Sequence, residues 1–206
     1  MASQKRKAKR TPPKRAFYPS NLREAVRLGT LADVQRLVVA GADLNEANEE
    51  KFTPLMSASG RGDLSIANYL IQRGADLNSR NDIGQTALMI AATTGKREMI
   101  ELLLRSGADP AASDDCRRNA LHWATSRGDV PEAVALLVRS GIDVNASDVG
   151  GFTPLIRAAE MGHPKTVAAL LKLGADPKAN WKGKTPHQIA LERGNTAVSA
   201  ILESAK

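Results

Sequence analysis

Phe52-Thr-Pro-Leu-Met-Ser-Ala-Ser-Gly-Arg-Gly-Asp-Leu-Ser-Ile-Ala-Asn-Tyr-Leu-Ile-Gln-Arg-Gly-Ala-Asp-Leu-Asn78 is the stretch on which the rest of the chain is patterned. Thr53 carries a hydroxyl suited to accept from the free N–H groups at a helix start, and Pro54 fits the first turn, where its missing donor costs nothing. Leu55 and Ala58 supply a short apolar face, and Gly62 takes the left-handed conformation that ends a helix. A second amphipathic run from Leu64 to Ile71 ends at Gly74 in the same way. The stretch therefore predicts helix, turn, helix and an exposed loop.

The same signals recur on both sides of it. Helix starts fall at Ser20, Thr53, Thr86, Asn119, Thr153 and Thr185, at intervals of 33, 33, 33, 34 and 32 residues. All six residue types are good N-caps. Two positions later stand Leu22, Leu55, Leu88, Leu121, Leu155 and His187, and five after the start stand Ala25, Ala58, Ala91, Ala124, Ala158 and Ala190, small enough for helices to approach closely. Gly29, Gly62, Gly95, Gly128, Gly162 and Gly194 follow at nine, and Gly-Ala-Asp, or Gly-Ile-Asp at 141–143, closes all but the last unit. The extra residue of the fourth unit falls near Val130 and Pro131; the residue missing from the last unit falls between Gly174 and Thr185. Trp123 occupies an inward position of a first helix and is expected in the core, whereas Asn45, Asn78 and Asn145 are expected to satisfy loop backbone groups.

A unit of this length with Thr-Pro-Leu-x-x-Ala, a mid-unit Gly and a closing Gly-Ala-Asp-hydrophobic-Asn closely resembles the ankyrin repeat, over about 185 of the 206 residues. The resemblance implies an all-α fold, a solenoid of stacked antiparallel helix pairs with projecting β-hairpin-like loops, and partners bound along the concave side formed by loop tips and first helices. It divides residues 16–206 into repeats at about 16–47, 48–80, 81–113, 114–147, 148–179 and 180–206, with the terminal two as caps. One such unit cannot bury its apolar face alone, so stacking has to supply the core. Aromatic residues make up 3% of the chain against 42% apolar, which suits thin layers of aliphatic side chains rather than a bulky sandwich.

The net charge of +7 is local. Seven of the 29 basic residues lie in residues 1–15, which hold no acid; the remaining 22 match the 22 acidic residues. This tail, with Pro12 and Pro13 and no apolar periodicity, is expected to be disordered when free. Phe17 and Tyr18 follow it and are expected to cover the open end of the first helix pair. Lys5, Arg6, Lys7, Lys9 and Arg10 resemble a nuclear import signal and equally suit phosphates of nucleic acid or lipid headgroups, so an import receptor or nucleic acid are partners to consider through the tail. No apolar h-region follows the charges, and no apolar run nears the roughly 20 residues of a membrane span. With one cysteine, Cys116, no internal disulfide forms. These features predict an intracellular monomer, cytoplasmic, nuclear or both.

The residues that vary between units carry the functional expectation, a protein-binding face formed by Glu49, Glu50, Phe52, Arg61, Gln85, Arg118, Arg127, Phe152, Met161, Trp181 and Lys184. Aromatic and arginine side chains are the usual energetic anchors of interfaces. Other motifs dissolve. Gly183-Lys184-Thr185 ends like a phosphate-binding loop, but Lys178 stands where that motif needs glycine. His122 fits a loop brace, His163 a turn and His187 a capping unit; with Cys116 they lack metal-ligand spacing. No metal, cofactor or convergent catalytic set is expected. The reading is a non-enzymatic adaptor, scaffold or regulatory inhibitor, with a nucleic-acid-associated regulator as the alternative.

Overall fold

The computed structural model describes residues 19–205, so the basic tail and the expectation for Phe17 and Tyr18 lie outside the described residues. Among them stand twelve helices in six pairs: α1 (Leu22–Leu28) and α2 (Leu31–Val39), α3 (Pro54–Arg61) and α4 (Leu64–Gln72), α5 (Ala87–Thr93) and α6 (Arg97–Arg105), α7 (Ala120–Arg127) and α8 (Pro131–Arg139), α9 (Pro154–Met161) and α10 (Pro164–Lys172), α11 (Pro186–Glu192) and α12 (Thr196–Glu203). Each odd-numbered helix packs on the next odd-numbered one and each even-numbered helix on the next even-numbered one, which makes two layers. The core between them is continuous from Leu22 to Leu202 and consists of Leu, Ile, Val, Met and Ala.

Local chemistry explains the element starts. The hydroxyl oxygens of Thr53, Thr86, Thr153 and Thr185 accept from the third residue of their helices, and Asn119 accepts through its amide oxygen. The first helix departs from the expected register. Its cap is Asn21, whose side chain accepts from the Glu24 N–H, while Ser20 donates through its N–H and hydroxyl to the Glu24 carboxylate. Two adjacent residues compete for one cap there, and the carboxylate at 24 draws Ser20 away. Gly29 and Gly62 end their helices left-handed at φ 76° and 79°, but Gly128 is extended at φ −159°. The extra residue lies at this turn, where Gly128, Asp129 and Val130 connect α7 to α8.

Hairpin loops join the pairs. In four of them a backbone N–H donates to the carbonyl four residues on: Asn48 to Phe52, Asn81 to Gln85, Asp114 to Arg118 and Asp148 to Phe152. The side-chain oxygen of each of those Asx residues also accepts the N–H of that fourth residue. The last hairpin is one residue shorter, closing between Trp181 and Lys184 around Lys182 and Gly183 with positive φ. Successive tips pair through Asp82 N–H to Glu50 O, Asp115 N–H to Ile83 O and Val149 N–H to Cys116 O. At the final junction the bond comes instead from the Trp181 indole, which donates to Gly150 O at 2.9 Å. Asn45, Asn78 and Asn145 each accept from the Asp N–H of the following unit at 2.8 to 2.9 Å.

Candidate interaction surface

The odd-numbered helices and the hairpins form one face, and the side chains on it fall into separate groups. At the N-terminal end Glu50, Phe52 and Arg61 line a groove of about 390 Å³ together with Arg23, Arg27, Asn48 and Ser57. Phe52 is half-buried at its floor, and Arg61 is held by Asp63 at 2.6 Å. Glu49 is exposed at the neighbouring tip.

Gln85 leaves the proposed set. It is 8% exposed, with its amide oxygen accepting from the Asn81 side chain at 3.0 Å and its backbone N–H donating to the Asn81 amide oxygen at 2.8 Å, which ties it into the loop. No exposed functional role is compatible with that burial.

The middle and C-terminal units carry a feature unexpected from the sequence. Asp114, Arg118 and Trp123 form a triad: the Arg118 Nε and the Trp123 Nε1 both donate to Asp114 Oδ2, at 2.8 and 3.1 Å, and the guanidinium lies 4.1 Å from the indole centroid. One unit later Asp148, Phe152 and Arg157 repeat it with arginine and aromatic exchanged. Arg157 lies 4.0 Å from the Phe152 ring centroid and 4.0 Å from Asp148 Oδ2. Trp123 packs against the core but is only partly buried rather than inside it as expected, because its indole N–H needs an acceptor and the Asp114 carboxylate provides one on the loop side. Trp123 and Arg157 stand four residues after their caps, a column that reads Ser57, Ile90, Trp123, Arg157 and Ile189. That variation was the available signal for both.

The Phe152 ring also meets Trp181, centroids 4.4 Å apart and planes at 39°, and Lys182 Nζ lies 4.9 Å from the Trp181 centroid. Glu160 holds Arg157 at 2.8 Å and Arg193 at 2.5 Å. Lys184 pairs with Glu192 at 2.7 Å, while Met161 and Arg127 remain exposed. Offset aromatic contacts and guanidinium stacking each contribute on the order of 0.5–1 kcal/mol, enough to fix rotamers before a partner arrives.

His122 braces this region from below. Asn119 and His122 form a reciprocal capping box, and His122 Nε2 lies 3.2 Å from Phe152 O in the next unit. That carbonyl requires Nε2–H, which leaves Nδ1 to accept the Asn119 N–H. Burial pushes the His122 pKa below 6.5, against the smaller raising effects of the Phe152 carbonyl, Asp148 and Asp114. Burial also lowers His163, opposed by Asp129. Among the described residues no group of three or more His, Cys, Asp or Glu is placed to hold a metal ion, and no helix is long and apolar enough to cross a membrane.

The family model for ankyrin repeats in three copies matches residues 22–114 and 107–181. The chain belongs to the ankyrin-repeat family. Its ankyrin units are 46% identical over 69 residues to human protein phosphatase 1 regulatory subunit 27, covering 33% of this chain and 44% of that protein. They are 40% identical over 55 residues to the 26S proteasome non-ATPase regulatory subunit 10 of Dictyostelium discoideum, covering 27% and 24%. Human ankyrin repeat domain-containing protein 40 is 38% identical over 82 residues, covering 39% and 22%. The matched ankyrin segments span less than half of each relative's length.

Proposed function

We propose that the protein is a non-enzymatic adaptor or regulatory subunit that works inside the cell, in cytoplasm or nucleus, and holds a protein partner along the face of hairpins and odd-numbered helices. The observation that carries this reading is the paired Arg–aromatic stacking at Arg118–Trp123 and Phe152–Arg157, extended by Trp181. Side chains ordered in advance lose little conformational entropy on binding, which favours affinity at that place. Two relatives are named as regulatory subunits, of protein phosphatase 1 and of the 26S proteasome, which supports a regulatory role of the same general kind here. The residues proposed to bind are Glu49, Glu50, Phe52, Arg61, Arg118, Arg127, Phe152, Met161, Trp181 and Lys184, with Trp123 and Arg157 added. Proteins captured from the native cell by the parent chain and by a Phe152→Ala/Trp181→Ala variant decide it. Loss of a specific partner, with helicity unchanged, is the expected result; an unchanged set places the site elsewhere.

A second reading rests on the concentration of seven cations and no acid in residues 1–15. In it the tail contacts phosphates of nucleic acid, or an import receptor, while the repeat domain from residue 16 recruits a protein. Phosphate binding releases counterions, so affinity has to fall steeply with salt. A chain beginning at Ala16 should lose that binding; equal affinity for both chains removes the tail from the function.

A further inference from the structure

We infer that the segment held by this face is an acidic peptide stretch of the partner, with an aromatic or aliphatic side chain among its carboxylates, and that it docks on the half of the face from Arg118 to Trp181. The inference rests on the protein-binding reading above and adds to it the chemistry and the place.

The ion pairs of this half are layered by sign. The Asp114 side chain is fully buried, and those of Asp148 and Glu160 are 8% and 11% exposed. Their partners lie outside them: the side chain of Arg118 is 30% exposed and that of Arg193 59%. These three carboxylates therefore use their charge inward, and the exposed acids of this half, Asp115 and Glu192, are each paired with a cation, Arg80 at 3.1 Å and Lys184 at 2.7 Å. Arg118 turns Nε to Asp114 and its flat face to Trp123, which leaves its Nη edge without a partner among the described residues. Arg127, four residues on from Trp123 and so on the same helix face, is exposed and has no ion-pair partner among the described residues. Lys182 projects over Trp181 at the far end.

A guanidinium fork fits a carboxylate in planar, two-pronged fashion. The ring edges of Phe152 and Trp181 suit one apolar side chain between such contacts. The opposite end of the face carries an excess of acid: Glu46, Glu49, Glu50 and Asp82 are exposed on the first two hairpins against Lys51, which pairs with Asp82 at 3.4 Å, and Arg80. Like charge there disfavours an acidic segment and so directs it to the other half. The groove at Phe52 is a weaker rival. Glu50 lines it, and two of its three arginines have acidic neighbours, Arg27 with Glu24 at 4.0 Å and Arg61 with Asp63.

Selection of random linear peptides displayed on phage against the full chain, followed by fluorescence anisotropy of the synthesised winners, tests the inference. The expected winners carry at least two Asp or Glu around one aromatic or aliphatic residue and bind more weakly as salt rises. An Arg127→Glu/Lys182→Glu variant, altered only at two exposed side chains, should bind them at least about tenfold more weakly, while Arg23→Glu/Arg27→Glu should stay within about twofold. Neutral or basic winners, no winners at all, or a loss confined to Arg23→Glu/Arg27→Glu overturn it. So does a preference of more than about tenfold for a phosphorylated copy over its carboxylate counterpart. Non-acidic winners whose binding disappears in Phe152→Ala/Trp181→Ala would defeat the inference and leave the loop face as the binding site. Winners that no substitution on this face weakens would defeat both.

Discussion

His122 shows how one residue couples a cap to a neighbouring unit. In the fold its Nδ1 faces the Asn119 N–H at 3.3 Å and the Asn119 amide oxygen at 2.8 Å, and it is burial of the ring that disfavours a second proton. A lowered pKa means that the unfolded chain takes up a proton before the folded one does. Stability should therefore fall as pH drops below 6.5 and level off once the folded imidazole also titrates. Urea unfolding across that range, with an NMR titration of the ring, checks the sign: His122 should stay neutral at a pH where an exposed histidine is half protonated. At the same scale some residues were readable from the sequence and others were not. The Thr and Asn caps follow from the reach of a short polar side chain to its own helix. Gln85, Trp123 and Ser20 were misplaced because each depends on a particular partner: the Asn81 amide, the Asp114 carboxylate and the Glu24 carboxylate. Column spacing shows which residues are neighbours, not which of several polar neighbours a side chain will choose.

At the level of elements, the asparagine ladder between hairpins has a gap. Asn45, Asn78 and Asn145 reach the next unit's Asp N–H, but the equivalent position between the third and fourth units is Ala111. Ala111→Asn should supply the missing acceptor to Asp143 and raise stability by about 0.5–1 kcal/mol, read as a higher midpoint in urea. A second device crosses units at the helix turn. Asp129 accepts from the N–H groups of Lys165 and Thr166, and so caps α10 from the preceding pair, while Thr166 Oγ1 accepts from Val130 N–H. Asp129→Ala should cost about 1 kcal/mol, the usual worth of an N-cap. The sequence located the extra residue at this turn, but the cap was invisible in it, because Asp129 and Thr166 lie 37 positions apart and meet only through stacking.

For the whole molecule, stability is close to a sum over neighbours, because each helix pair packs chiefly on those beside it. The ends then open before the middle. The C-terminal pair is held at its hairpin by the Trp181 indole rather than by paired tips, and the family model already stops matching at residue 181. Amide hydrogen exchange should be fastest in α11 and α12 and slowest in α5 and α7, and Trp181→Phe should speed exchange in α11 and α12 without changing α5. Stacked architecture was legible throughout, since a period near 33 residues fixes it. The layering of buried carboxylates beneath more exposed arginines was not, since it appears only when the units are set side by side.

The chain has two tryptophans, and both belong to that face. One indole stacks under Arg118 and the other against Phe152, so the ultraviolet emission of the molecule originates where a partner would sit. The protein carries its own optical reporter: occupancy of the face can be followed by intrinsic fluorescence with no label attached.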